Sequence, residues 1–239
     1  MTRRATRKIE MVRPEQLFVG CPFHSRVRKN YDRLKAELEA ETPLRVVLAD
    51  TTSVTSTDDL LEHITALIRN SAACLFDATG ANPNVSLEVG IAHALPTDFL
   101  LTISTRQSHP KKATRLAADR QRPIPFGMRS AIIADLQGRN RIEYKTYRAL
   151  KDQVLRRYLS GLPYLRRWHE FEKNHRSYAP LALPVLHEIR ASGRTTRPRL
   201  DAILSASGIS VTALTRALTR HRLISHRAGR DGGYFYPSK

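Results

Sequence analysis

The chain has 239 residues, 41% hydrophobic and 26% charged, so it can bury a core and is long for one ordinary domain. Its formal net charge of +18 is regional: Lys and Arg against acids run five to one in 1–13, seven to twelve in 14–103, fourteen to four in 104–162 and fourteen to five in 163–239. Disordered and fibrous classes are excluded, no apolar run approaches the roughly 18 residues of a membrane span, and the basic start "MTRRATRKIEMVRPEQ" leads into no apolar segment; a cytoplasmic protein with no membrane partner is expected.

In chain order, "QLFVGCPF" (16–23) reads as a buried strand, 27–40 as an exposed amphipathic helix and "LRVVLAD" (44–50) as a second strand. Residues 57–71 form a helix capped by Thr57, with Asp58 and Asp59 in its first turn and Leu60, Leu61, Ile64, Leu67 and Ile68 on one face. "AACLFDA" (72–78), "VSLEVGIAHAL" (85–95) and "FLLTIS" (99–104) continue as strand, helix and strand. Near-continuous apolar strands alternating with helices imply an α/β fold with a parallel sheet covered on both faces, flavodoxin-like or Rossmann-like, binding ligands beyond the carboxyl ends of its strands. A basic connection follows at 105–125; "SAIIADL" and "RIEYKTYRALKDQVLRRYL" then add a strand or two and a closing helix near 159.

After a linker helix carrying the single Trp168, three short helical patterns appear, two of them ended by Gly193 and Gly208, and then a hairpin signalled by Asp231-Gly232. That order is expected of a winged helix-turn-helix. In its third helix Val211, Leu214 and Leu218 point inward, which leaves Thr212, Thr215, Arg216 and Thr219 outward for a major groove, with Arg220, Arg227 and Arg230 placed to meet phosphates. The expected organisation is a basic tail (1–15), an α/β domain (16–160), a linker helix (161–179) and a winged-helix domain (180–239). Nucleic acid, most plausibly DNA, is the expected partner; winged helices also dock proteins, and a basic surface also serves solubility.

Cys21 and Cys74 sit in strand-like runs and suit buried, reduced thiols. No metal is expected, since His169 and His175 are six apart rather than the four that put two ligands on one helical face. No cofactor is expected either: the glycine loops of dinucleotide and P-loop enzymes are absent. What stands out is "ACLFDATGANPNVSLEVGIAHAL", which sets Asp77 at a strand end, Asn82 and Asn84 in the turn, and Glu88 on a helical stripe with Ile91, Ala92 and Leu95. A half-buried glutamate beside amides suits N-glycosidic cleavage, in which a carboxylate stabilises or captures an oxocarbenium-like sugar while Asp and Asn groups hold hydroxyls. "FVGCPF" supplies the neighbouring loop, with Gly20 as a further candidate at the substrate and Phe23 to flank a base. The plainer reading is that Asn84 caps the helix, Asn82-Pro83 is a turn, and Glu88 favours the helix N-terminus.

These residues, with "LFVGCPF" and the later "IPFGMRS" and "RIEY", resemble the bacterial TIR-like and nucleoside 2-deoxyribosyltransferase-like superfamily over residues 16–159. The resemblance implies a flavodoxin-like fold, Glu88 as catalytic carboxylate, and Asp77, Asn82 and Asn84 around a sugar or nucleotide. It also implies a substrate among nucleosides, nucleotides or NAD. The chain departs from the pattern at Gly127, where an acid would be expected. Joined to a winged helix, it is similar to effectors of certain retrons, antiphage systems whose partners are a reverse transcriptase and its multicopy DNA. Three functions follow: an N-glycoside-cleaving effector restrained or activated by nucleic acid, a TIR-like NAD hydrolase, and a nucleotide-sensing DNA-binding regulator without turnover. Self-association into a homo-oligomer is compatible with all three.

Overall fold

The computed structural model describes residues 12–22, 25–49, 57–79, 82–95, 97–105, 141–229 and 232–237. Phe23, Gly127, Arg230, Asp231, the side chains of Thr57 and Asp58, the basic tail to residue 11, and the basic connection with "SAIIADL" lie outside them.

The sheet is made of β1 (Arg13–Gly20), β2 (Arg45–Leu48), β3 (Ser71–Asp77), β4 (Phe99–Ser104) and β5 (Arg141–Tyr144), ordered β2-β1-β3-β4-β5. Every neighbouring pair is parallel, as the apolar strands predict. The crossovers are α1 (Ser25–Glu41), α2 (Thr57–Arg69) and α3 (Pro83–Ala94). This is the flavodoxin-like strand order, whose switch point lies between β1 and β3. β1 starts at Arg13 rather than 16, because its register against β3 shifts between Arg13 and Leu17 and the bulged stretch holds Pro14, which has no N–H to give.

Alternation along the strands sorts the core into two layers. Leu17, Val19, Ala73 and Leu75 face α1, burying Tyr31, Leu34 and Leu38, whereas Phe18, Cys74, Phe76 and Leu101 face Ile68 of α2 and Val85, Val89 and Ala92 of α3. In α2 only part of the expected apolar face is covered: Ile68 is buried and Leu61 is 42% exposed.

Beyond β5 come α4 (Tyr147–Gln153), extended by a π turn (Val154–Tyr158) and a 3-10 turn (Leu159–Gly161), then α5 (Pro163–Asn174). The segment read as a linker helix buries Tyr164, Leu165, Trp168 and Phe171 completely, with Trp168 stacked on Phe171. Next stand α6 (Ala179–Ser192), α7 (Arg197–Leu204), α8 (Val211–Arg220), and a hairpin of β6 (Ser225–Arg227) and β7 (Gly233–Phe235). Thr195, between α6 and α7, pairs with Tyr234 of β7 through two backbone hydrogen bonds of 2.8 and 3.0 Å. Gly193 caps α6 at φ 69°, whereas Gly208, at φ 67°, closes the turn that follows the end of α7 at Leu204; both adopt the left-handed conformation in which glycine carries no Cβ penalty.

One apolar core runs from the α1 layer of the sheet through α5 into α6, α7 and α8. Polar ties follow the same path: Arg190 donates to the carbonyls of Leu44 (2.7 Å) and Glu39 (3.3 Å), and the Tyr236 hydroxyl donates to those of Leu186 (2.9 Å) and Pro43 (3.2 Å).

Candidate active site

β1 and β3 stay paired to their carboxyl ends, Gly20 opposite Phe76, and Glu88 of α3 stands against Gly20 there. Val85, Glu88, Val89 and Ala92 form the buried stripe of α3 at i, i+3, i+4 and i+7, so the glutamate occupies a core position. It is 5% exposed, and its Oε2 has no hydrogen-bond partner. Burial pushes its carboxyl up to about 8. A buried polar atom with no partner costs roughly 1–3 kcal/mol, more for a charged group, so this group is retained against its own stability cost.

Gly20 is what lets it sit there. A Cβ at Gly20 would collide with Glu88 Oε2 and lie 2.7 Å from Phe76 Cδ1, so only a glycine admits the carboxylate against the end of β1. Cys21 follows, buried, with its thiol pushed up to about 12 chiefly by desolvation, which keeps it protonated and unreactive.

Asp77 lies on the opposite face of β3, as alternation from Phe76 requires, so the two carboxylates do not converge from one side. It is 0% exposed. Oδ1 accepts from Thr79 N at 2.7 Å and Oδ2 from the Tyr144 hydroxyl at 2.8 Å. Thr79 Oγ1 accepts in turn from Ser104 N at 2.7 Å, and the Tyr31 hydroxyl is 2.7 Å from Thr102 Oγ1. Both tyrosines are held far above their ordinary pKa, first by burial and then by the neighbouring Asp77 charge. Sequence reasoning missed Tyr31, Thr79, Thr102 and Tyr144. Of these, only Thr79 lies in the quoted motif; the others belong to α1, β4 and β5, and no local spacing announces them.

Asn82, rather than Asn84, caps α3: its Oδ1 accepts from Asn84 N at 3.0 Å and Val85 N at 3.3 Å. Pro83 takes the first helical position, where its missing N–H costs nothing. The Asn84 side chain is exposed. The site therefore joins Gly20 and Glu88 on one face of the sheet's carboxyl edge, with Asp77 braced on the other face and Asn82 fixing the helix that carries the glutamate.

The second predicted cluster also needs a correction. Thr212, Arg216, Thr219 and Arg220 are exposed on α8, but Thr215 is 4% exposed and its hydroxyl donates to Val211 O at 2.8 Å. It belongs to the buried stripe Val211, Leu214, Thr215, Leu218, and position 215 is shared between that row and the outward one at i+3 from Thr212. The outward residues, with Thr215 among them despite its burial, line a groove of about 420 Å³ with His226 and Tyr234 of the hairpin. Arg227 is exposed and stacks its guanidinium 5.2 Å from the Phe235 ring centre.

Among the described residues no group of three or more His, Cys, Asp and Glu could hold a metal ion, and no helix is long and apolar enough to cross a membrane. Cys21 and Cys74 are buried and free.

No protein-family model matches the chain, and a search of curated proteins finds no match. Among solved structures, the chain is similar to a 2-desoxiribosyltransferase from Leishmania mexicana, at 17% identity and a TM-score of 0.34, over 38% of this chain. The match spans 65% of that enzyme's length.

Proposed function

We propose that this chain cleaves the N-glycosidic bond of a nucleotide, nucleoside or NAD, with Glu88 as the carboxylate that meets the sugar. The observation that carries this reading is the unpartnered, buried carboxyl of Glu88 held against Gly20 at the β1/β3 switch point. A group stored there is destabilised in the empty site and gains most when positive charge develops beside it, as it does on C1′ of an oxocarbenium-like transition state. For NAD, the C1′–N electron pair returns to the nicotinamide ring, which leaves neutral, and the ionised Glu88 faces the sugar cation until water or another acceptor adds. For a neutral nucleoside the departing base must also receive a proton, which a protonated Glu88 would hand over before stabilising the sugar as carboxylate. Asp77 acts through its braces, keeping the end of β3 in place under the sugar.

The C-terminal helices and hairpin we read as a winged helix-turn-helix that ties the enzyme to nucleic acid through the groove lined by Thr212, Arg216, Thr219 and Arg220. The motif resemblance supports extending this to an antiphage effector, with multicopy DNA and its reverse transcriptase as partners. Purified wild type and Glu88→Gln, each with and without nucleic acid co-purified from the host, incubated with NAD and a nucleotide panel, should differ by at least 10²-fold in free-base release followed by mass spectrometry. Equal release from both proteins would remove Glu88 from the mechanism; ligand binding with no release by the wild type would make the domain a sensor that regulates DNA binding.

A further inference from the structure

A second cavity, of about 270 Å³, lies at the other end of β1 and touches none of the residues around Glu88. From Glu15 to Gly20 the strand advances roughly 17 Å at about 3.3 Å per residue, so the two sites are separated by the length of the sheet. Its walls come from both parts of the fold: Arg13 and Glu15 of β1, Arg45 of β2, Arg190 of α6, and Arg227 and Phe235 of the hairpin. Four arginines and one glutamate thus line the same cavity.

That carboxylate is unusual. Glu15 is 4% exposed, it sits in the bulged stretch of β1, and its Oε2 is shut off from solvent with no hydrogen-bond partner, even though four arginines share the cavity. Burial raises its pKa against the opposing pull of Arg13 and Arg45. Arg190 is already engaged with the carbonyls of Leu44 and Glu39, which holds it at the cavity wall. An excess of guanidinium groups, with Arg190 fixed among them, calls for an anion with several acceptor oxygens, and the orphan oxygen of Glu15 calls for a neighbouring donor such as a hydroxyl or amine. The volume falls just under the usual range for small-molecule pockets, which limits the occupant to a sugar phosphate or a molecule of similar size.

We propose that this cavity is a binding site for a small phosphomonoester bearing hydroxyl groups, gripped by Arg13, Arg45, Arg190 and Arg227 at the phosphate and by Glu15 at a hydroxyl. Such a ligand touches the sheet and the hairpin together, so its binding strengthens the attachment of the nucleic-acid-binding face to the α/β core. The site is independent of the chemistry proposed at Glu88.

Titration calorimetry on the full chain with three probes tests both halves of the site. Ribose 5-phosphate should bind saturably, inorganic phosphate about tenfold more weakly for want of the hydroxyl contact, and ribose not at all. Arg45→Gln should weaken ribose 5-phosphate and phosphate alike by tenfold or more. Glu15→Met, which removes the orphan oxygen without opening a cavity, should erase the advantage of ribose 5-phosphate over phosphate and leave phosphate binding intact; Glu88→Gln should change nothing. Absence of saturable ribose 5-phosphate binding to the folded wild type would overturn the proposal. So would binding unaltered in Arg45→Gln, or binding lost in Glu88→Gln, which would place the ligand at the other site. Thermal melts establish that each variant is folded; should Glu15→Met fail to fold, Arg45→Gln and the comparison of ribose 5-phosphate with phosphate on the wild type decide.

Discussion

Glu88 combines the position proposed for catalysis with a stability cost, and the two can be followed by pH. Below its ordinary value of 4.5 the carboxyl is neutral whether the chain is folded or not. Between 4.5 and about 8 it ionises in the unfolded chain but not in the folded one, so the folded state loses stability as pH rises; above about 8 the loss is complete. The full penalty is on the order of 5 kcal/mol. Glu88→Gln should therefore gain little at pH 4 to 5 and several kcal/mol at pH 8.5 in urea unfolding, and a stability difference that stays constant over that range would show the native carboxyl to be ionised throughout. If the ionised form meets the sugar, kcat/KM of the wild type should climb with pH and level off near 8. Gly20→Ala provides a second check at this scale: the added methyl meets Glu88 and Phe76, so it should cost about 1–3 kcal/mol and abolish turnover, whereas a fully active Gly20→Ala would mean the carboxylate is not held at β1.

At the scale of elements, the outward face of α8 makes a separate prediction. Arg216 and Arg220 are exposed, so replacing Arg216 with Ala disturbs no buried contact. It should lower the slope of log affinity for nucleic acid against log salt by about 1, and an unchanged slope would assign the groove to a protein partner. Here the limits of sequence reading are visible. β4 spans the predicted 99–104, and the other elements among the described residues fall within a few residues of expectation because apolar runs and helical periods are local signals. Glu88 was legible for the same reason, lying on a stripe of one helix. Thr215 was misplaced because a residue at i+4 of one row is also i+3 of another, and a threonine satisfies its own hydroxyl on the preceding turn. The capping role of Asn82 was not legible because Asn84 offers the same side chain two residues on; only the geometry at Asn84 N and Val85 N separates them. The brace on Asp77 was invisible because Tyr144 is 67 residues away in sequence.

The whole molecule is organised by a core that passes from the sheet to the C-terminal helices without interruption. Trp168 sits inside it, 1% exposed, and so reports on both halves. Unfolding followed by Trp168 fluorescence and by far-UV circular dichroism should give coincident transitions; two separated transitions would show that the halves hold together independently. A chain cut after residue 161 would lose Tyr164, Leu165, Trp168 and Phe171 from that core, so it should not give a cooperative fold by itself.

Tyr236 gives this organisation a temporal side. Its hydroxyl is donated to Pro43, 193 positions earlier, and to Leu186. A polypeptide leaving the ribosome in order exposes Gly20 and Glu88 long before residue 236 has emerged, yet the clasp on the loop before β2 waits for that last segment. The order of synthesis thus makes the joining of the sheet to the C-terminal helices a late event, since the loop and the tyrosine that clasps it are made 193 residues apart.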